Sequence, residues 1–151
     1  MDILVKLADF GLAIKISESR NSSHVCGTPN YISPQVLARK GHSKESEAWS
    51  IGCTLYCMLI GKPPFETDSQ ESTYLKIASC DYSFPRNLRI SVDAEDLISK
   101  LLQLDPVLRM KIGEVKYHAY MLNSGKLRMS ESYLSAVRRP LRMSEKQNKG
   151  Q

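Results

Sequence analysis

The sequence predicts a mostly α-helical domain followed by a basic tail. Apolar residues recur at helical spacing in several segments, of which residues 46–60 and 91–104 are the clearest. The chain has 151 residues, 42% of them apolar and 25% charged, which is enough for one hydrophobic core. Because the periodicity fades towards the C-terminus, we expect a folded unit over residues 3–122 and a disordered tail over residues 123–151.

The first half of the predicted domain contains a strand, a loop and a central helix. Residues 3–8 are rich in strand formers, and the polar residues 14–30 predict a long loop. Residues 46–60 are apolar on nearly every side, which predicts a helix that is buried all round, with Ser46 as its N-cap. Gly61 and the two prolines that follow it end this helix.

Three further helices are predicted in the second half. Residues 68–80 form the more polar of them. Residues 91–104 combine a leucine-rich stripe with acidic residues in the first turn, and Ser91 is the predicted N-cap. Residues 112–122 predict a last, short helix.

The net charge of +5 belongs to the tail. Residues 1–122 contain 14 basic and 14 acidic residues, whereas residues 123–151 contain 7 basic and 2 acidic ones. A basic tail of this kind can attract nucleic acid, acidic lipid or an acidic protein. It lacks the interleaved aromatic residues of single-strand binders, so we expect a solvated tail rather than a nucleic-acid function.

The cysteines and apolar runs indicate a protein of a reducing compartment. None of the four cysteines forms a C-x-x-C pair or has a histidine at zinc-finger spacing. Cys53 and Cys57 fall on one helical face and are expected to be core thiols. No apolar run approaches the ~18 residues of a membrane span. We therefore expect a cytoplasmic or nuclear protein with no membrane partner.

Five short motifs occur in a fixed order along the chain. They are Asp9-Phe10-Gly11, Cys26 to Pro34, Trp49 to Gly52, Gly61 to Phe65, and Arg109 after Asp105-Pro106. Their order and spacing resemble the protein kinase fold from the end of the catalytic loop onward. The resemblance covers residues 3–122 and implies a C-terminal kinase lobe: the DFG strand, the activation segment and the helices that the family calls F to I.

Two of these motifs narrow the resemblance. The stretch Cys-Gly-Thr-Pro-Asn-Tyr-Ile-Ser-Pro and the later Gly-Lys-Pro-Pro-Phe-Glu-Thr-Asp are similar to those of the polo-like kinases. Within that group they are most similar to the polo-like kinase 4, or Sak, branch. The resemblance implies serine/threonine specificity, protein substrates, and the centrosome or centriole as a location.

The resemblance also assigns roles to individual residues. A carboxylate at a strand end is a hard oxygen ligand that suits Mg²⁺, and Asp9 takes this role, with ATP as the second cofactor. Phe10 would pack beside Asp9, and Gly11 would permit the backbone change between states. Thr28, which Pro29 biases towards an extended conformation, would belong to the platform for the peptide substrate.

Other positions depart from the family pattern. Gln35 stands where the family has a glutamate that pairs with a buried arginine, here Arg109, so we expect an uncompensated buried cation. Trp49, in the helix predicted over residues 46–60, is expected to have a structural role. The activating threonine of the polo pattern is replaced by His24, with Ser22 and Ser23 close by; we expect this loop to be mobile even when phosphorylated.

Several catalytic elements of kinases are not in this sequence: the Gly-rich loop, the ATP-gripping lysine, its glutamate partner and the H-R-D catalytic loop. We therefore expect a chain truncated before the DFG motif, inactive by itself and unable to hold Mg²⁺ and ATP alone. The alternatives are a fragment or short isoform of an active kinase, a non-catalytic interaction module, or a remnant without function. The module would self-associate or bind a partner through an exposed apolar face that includes Leu55, Met58 and Leu59.

Overall fold

The computed structural model describes residues 6–13, 15 and 25–124, which form a helical domain. A 3₁₀ turn covers Pro29–Tyr31. Six α-helices follow: α1 (Pro34–Leu37), α2 (Lys44–Ile60), α3 (Gln70–Ser79), α4 (Val92–Leu101), α5 (Ile112–Val115) and α6 (Ala119–Ser124). The described part contains no strand, which confirms the mostly α fold class.

Two of the predictions fall largely outside the described residues. Residues 6–8 of the predicted strand have no regular structure, and residues 3–5 lie outside the described part. A strand needs a partner for its backbone hydrogen bonds, and the described residues offer none. The predicted tail also lies outside, except for residues 123 and 124, which end α6.

The central helix α2 begins with a capping box. The backbone N–H of Ser46 donates to Ser43 Oγ at 3.3 Å, and the backbone N–H of Ser43 donates to Ser46 Oγ at 2.8 Å. The predicted N-cap Ser46 is therefore wrong by three residues, because Ser43 holds that position. Gly61 ends the helix in the left-handed region with a φ of 90°, as predicted.

Helix α2 is buried on one side only. Its buried face carries Ala48, Trp49, Gly52, Cys53 and Tyr56. All-round burial is wrong for the described residues, since Met58 is 65% and Ile51 37% exposed. The predicted exposed face is confirmed at Met58. The 3₁₀ turn, α4 and α5 pack against the buried face, and Ile77 of α3 and Phe65 join it in one core cluster. Leu55 and Leu59, predicted for an exposed contact surface, instead pack against the core.

The predicted helices over 68–80 and 91–104 are confirmed with shorter bounds. Ser69 caps α3, and Cys80 ends it in the left-handed region. Ser91 caps α4 as predicted, its hydroxyl accepting from the backbone N–H of Ala94 at 3.2 Å. The helix ends at residue 101 rather than 104, where Leu102 turns into the core.

The single helix predicted over residues 112–122 is wrong, because the segment divides into α5 and α6. The N–H groups of Tyr117 and His118 donate to carbonyls three residues earlier, at 2.9 and 3.1 Å, which tightens the chain into a turn. The buried side chain of His118 reaches Asp96 of α4 at 2.8 Å. This contact anchors the turn. No described helix is long and apolar enough to cross a membrane.

Candidate functional site

A cavity of about 440 Å³ lies between the Asp9 segment, the 3₁₀ turn and the start of α2. Its wall includes two residues predicted for the functional site, Asp9 and Thr28, which are far apart in sequence. Ser33, His42 and Glu47 are among its other lining residues, most of which carry polar groups. Concave sites with a few convergent polar groups are typical of ligand and substrate binding.

Asp9 stands at a sharp bend of the backbone. Its φ is 62°, in the left-handed region that asparagine and aspartate tolerate better than most residues. The N–H of Ala13 donates to the Phe10 carbonyl at 3.0 Å and closes the turn that follows. Phe10 itself is 70% exposed, so nothing in the described part packs around it as the predicted role requires.

The Thr28 segment is extended and tethered. Thr28 has φ −70° and ψ 127°, the extended conformation that its position before proline predicts. Gly27 precedes it with a φ of 120°, which a side chain would strain. The carbonyl of Tyr31 accepts from Ser50 Oγ at 2.9 Å, which ties the 3₁₀ turn to α2. The cavity thus has one rigid, extended backbone wall.

Three polar groups of this cavity could not be predicted from the sequence: those of Cys26, His42 and Ser33. Cys26 Sγ lies 3.4 Å from His42 Nε2, although the two residues are 16 positions apart. Ser33 is 1% exposed, and its Oγ has no hydrogen-bond partner in the described structure. Ser33 lies in the motif from Cys26 to Pro34, but its burial depends on tertiary packing, which the motif alone does not predict.

Asp9 fits Mg²⁺ in its donor chemistry, as an exposed carboxylate on a cavity wall. Within the described residues, no group of three or more His, Cys, Asp or Glu side chains could hold a metal ion together. Asp9 is therefore suited to be one ligand of a magnesium ion, and the described residues do not complete the site around it.

Arg109 forms a second polar centre, between α1, α2 and the segment after α4. The residue is 3% exposed. Its Nε and Nη2 donate to the Gln103 carbonyl at 3.0 and 2.7 Å, and Nη1 donates to the Glu45 carbonyl. Both terminal nitrogens donate to Gln35 Oε1 at 3.2 Å. The guanidinium carbon also lies 5.0 Å from the ring centroid of Trp49, a cation–π contact.

This arrangement refines the predicted environment of Arg109. Carbonyl oxygens occupy its donors, so the cation is solvated by dipoles, yet no carboxylate contacts it among the described residues. Burial lowers the pKa of Arg109 to about 10, and the side chain is still charged at neutral pH. Gln35 itself lowers the stability of the fold, because its Nε2 is a buried donor without an acceptor.

The predicted activation-segment positions Ser22, Ser23 and His24 lie outside the described residues. Their roles stay predictions.

The profile of the protein kinase domain matches residues 1–121 of this chain. Together with the helical lobe and the order of its motifs, this match shows that the chain belongs to the protein kinase family.

Curated relatives narrow the family to serine/threonine kinases of the polo group, as the motifs predicted. The chain is 44% identical to serine/threonine-protein kinase PLK4 of Drosophila virilis and 45% identical to serine/threonine-protein kinase polo of Drosophila melanogaster. It is 42% identical to the probable serine/threonine-protein kinase CCRP1 of Zea mays. These alignments cover 82, 80 and 82% of this chain but only 16, 21 and 20% of the respective relatives. The chain therefore spans about one fifth of the length of the curated relatives it matches.

Proposed function

We propose that this chain supplies the substrate platform and one metal ligand of a polo-like serine/threonine protein kinase. The observation that carries the proposal is the single cavity that Asp9 and Thr28 both line. Family membership and the serine/threonine kinases among its relatives support it.

The residues divide the work by their chemistry. The extended backbone at Thr28 offers a straight edge against which a peptide substrate can lie, and Thr28 is an exposed residue that lines the cavity. Asp9 is the residue that would hold Mg²⁺. When bound with ATP, this ion neutralises the charge on the phosphate oxygens. Gly27 and the hydrogen bond from Ser50 keep the platform in place.

By itself, we propose, the chain neither binds ATP with Mg²⁺ nor transfers phosphate. Asp9 is the one nucleotide-site group of the family pattern that its 151 residues contain. A lone carboxylate holds Mg²⁺ weakly, because the ion keeps its hydration shell. If the sequence is part of a longer, active kinase, the same residues act in the same roles within it, and the cofactors bind to the whole.

A thermal-shift titration with millimolar ATP and Mg²⁺ tests the inactive state. We expect no rise in Tm, whereas a ligand at 100 times its Kd stabilises by about 2.7 kcal/mol. The variants Asp9→Ala and Asp81→Ala, at two exposed aspartates, are measured in parallel. A rise in Tm that disappears in Asp9→Ala and persists in Asp81→Ala would contradict the proposal.

A chimera tests the roles of Asp9 and Thr28. Residues 6–122 of this chain replace the matching segment of an active PLK4 relative. We expect kinase activity that Asp9→Asn lowers by about 100-fold or more, which is about 2.7 kcal/mol of the several that a bound metal supplies. The control Asp81→Asn leaves the activity unchanged. A chimera equally active with Asp9→Asn would refute the metal-ligand role.

A non-catalytic interaction module is the second candidate function. The observation that favours it is the exposed side of α2, where Ile51 and Met58 present apolar surface. The location implied by the polo resemblance, in the cytoplasm or nucleus and at the centrosome or centriole, belongs to both proposals.

A further inference from the structure

A second, larger groove of about 970 Å³ lies between α1 and α3, away from the Asp9 cavity. Its lining is apolar over Val25, Leu37, Tyr74 and Leu75. Leu75 lines this groove and is 67% exposed. An apolar groove of this size can accept two or three side chains of an extended peptide.

Charges of both signs line the groove. Glu71 of α3 and the pair Arg39 and Lys40 after α1 are all exposed lining residues. Within the described residues none of the three forms an ion pair. The groove therefore suits a segment that combines apolar, basic and acidic side chains.

The chain contains such a segment twice. Leu127-Arg128-Met129-Ser130-Glu131 recurs without change as Leu141-Arg142-Met143-Ser144-Glu145, 14 residues later. Each copy has two apolar side chains, a basic residue near its start and an acidic residue at its end. Both copies lie in the tail, beyond the part of the chain that the structure describes.

We propose that the groove between α1 and α3 binds the second copy, residues 141–145, of the same chain. In an extended segment alternate side chains point to one side, so Leu141 and Met143 enter the apolar floor together. Glu145, two residues further along the same side, meets the basic pair formed by Arg39 and Lys40. Arg142 starts on the opposite side, and its long side chain bends back over the edge of the groove to pair with Glu71. Each unpaired charge of the groove thereby gains a partner of opposite sign.

The length of the tail selects the second copy. Helix α6 ends at Ser124 and packs against α4, whereas the groove lies between α1 and α3. Only residues 125 and 126 precede the first copy, and they span at most ~7 Å. Residues 125–140 precede the second copy and span up to ~55 Å, which is enough to cross a domain of this size.

Hydrogen exchange on the full-length chain, read by mass spectrometry, tests the proposal. The two copies have different flanking residues, so their peptides are resolved separately. We expect exchange about tenfold slower in residues 141–145 than in residues 127–131, which corresponds to about 1.4 kcal/mol of docking free energy. The slowing is unchanged on tenfold dilution, because the contact is within one chain.

Surface variants identify the groove as the binding site. Leu75→Asp and Glu71→Lys abolish the slowing, while Met58→Asp, a matched change at a residue 65% exposed on α2, leaves it intact. Combining Glu71→Lys with Arg142→Glu restores it. Equal exchange in the two copies, slowing that survives Leu75→Asp, or slowing that is lost on dilution would each overturn the proposal.

Discussion

Arg109 is a buried cation that is surrounded by dipoles. Gln35 gives it one oxygen, shared between two guanidinium nitrogens at 3.2 Å, and turns an unpartnered amide nitrogen into the interior. A carboxylate at this position offers two acceptors and a negative charge, and it has no orphan donor. The residue at position 35 therefore controls how well the interior tolerates the charge of Arg109.

We predict that Gln35→Glu raises the free energy of unfolding by about 1–3 kcal/mol, the range for a hydrogen bond to a charged group and for relief of an orphan donor. Urea unfolding at neutral pH measures it. Gln35→Met provides the opposite control, because it removes the oxygen that Arg109 uses and should destabilise the chain. A Glu variant with a lower urea midpoint and an unchanged m-value would show that desolvation of the new carboxylate prevails.

The Asp96 carboxylate accepts hydrogen bonds from two side chains, those of Lys100 and His118. Lys100 Nζ donates to its Oδ2 at 2.6 Å. The backbone N–H of Tyr120 donates to His118 Nδ1 at 3.2 Å, so the ring hydrogen of neutral His118 is on Nε2 and is donated to Asp96 at 2.8 Å. These bonds, first from Lys100 and then from His118, lower the pKa of Asp96 below its ordinary value.

A lowered carboxyl pKa stabilises the fold above the ordinary pKa of aspartate, about 3.9, and this stabilisation disappears as the pH falls through the folded value. We therefore predict that Asp96→Asn lowers Tm at pH 7, and that the difference from the unmodified chain shrinks as the pH falls from about 4 towards the lowered pKa of folded Asp96. Calorimetry from pH 7 to 3 measures the change, with Asp81→Asn as an exposed control. A difference that is constant with pH would mean that Asp96 acts through packing rather than charge.

At the scale of elements, the crossing of α2 and α4 depends on the absence of a side chain at Gly52. A Cβ atom at this position would lie 2.9 Å from Leu101 Cβ and 2.9 Å from Leu102 Cδ2. Such distances are closer than two carbon atoms pack. Leu101 and Leu102 are buried in the two core clusters, so they have little room to retreat.

We predict that Gly52→Ala destabilises the chain by about 1–3 kcal/mol of overpacking, reduced by up to ~1 kcal/mol from the better helix propensity of alanine. Gly113→Ala in α5 is the matched control, because a Cβ there meets nothing within 4 Å. It should be neutral or stabilising. Thermal unfolding compares the two, and equal Tm values for both variants would show that α4 shifts to accept the methyl group.

The elements also show what the sequence could predict. Helices α3 and α4 were predictable because their apolar pattern is local, as is the cap Ser91 of α4. The cap Ser69 of α3 was not predicted. The N-cap of α2 was not predictable, since Ser43 and Ser46 are both suitable and only the backbone decides between them. The split between α5 and α6 depends on the contact of His118 with a distant helix, which no local pattern contains.

The candidate site divides in the same way. Asp9 and Thr28 were predictable because each stands in a motif whose spacing is a sequence property. The contact between Cys26 and His42 and the burial of Ser33 were not, because they arise where two loops meet in the folded chain. Leu55 and Leu59 were assigned to the wrong side of α2, since an all-apolar helix does not reveal which of its sides is covered.

At the scale of the whole molecule, the core lies on one side of α2. Trp49 stacks on Phe65 with ring centroids 5.3 Å apart, and Tyr82 packs edge-on against Phe65 at 5.6 Å. The other side carries the exposed Ile51 and Met58. Each 100 Å² of apolar surface left uncovered forgoes about 2.5 kcal/mol, against a typical total stability of ~5–15 kcal/mol.

We therefore predict that the chain is marginally stable and self-associates through this side of α2 when no partner covers it. Size-exclusion chromatography with light scattering should show species larger than the 17.0 kDa monomer as concentration rises. The double variant Ile51→Lys with Met58→Lys should shift them to the monomer, while Val107→Lys, at an 86% exposed loop residue, should not. A monodisperse monomer with one sharp, reversible transition above about 60 °C, the upper edge for ordinary mesophile domains, would remove the physical basis for a partner at this surface.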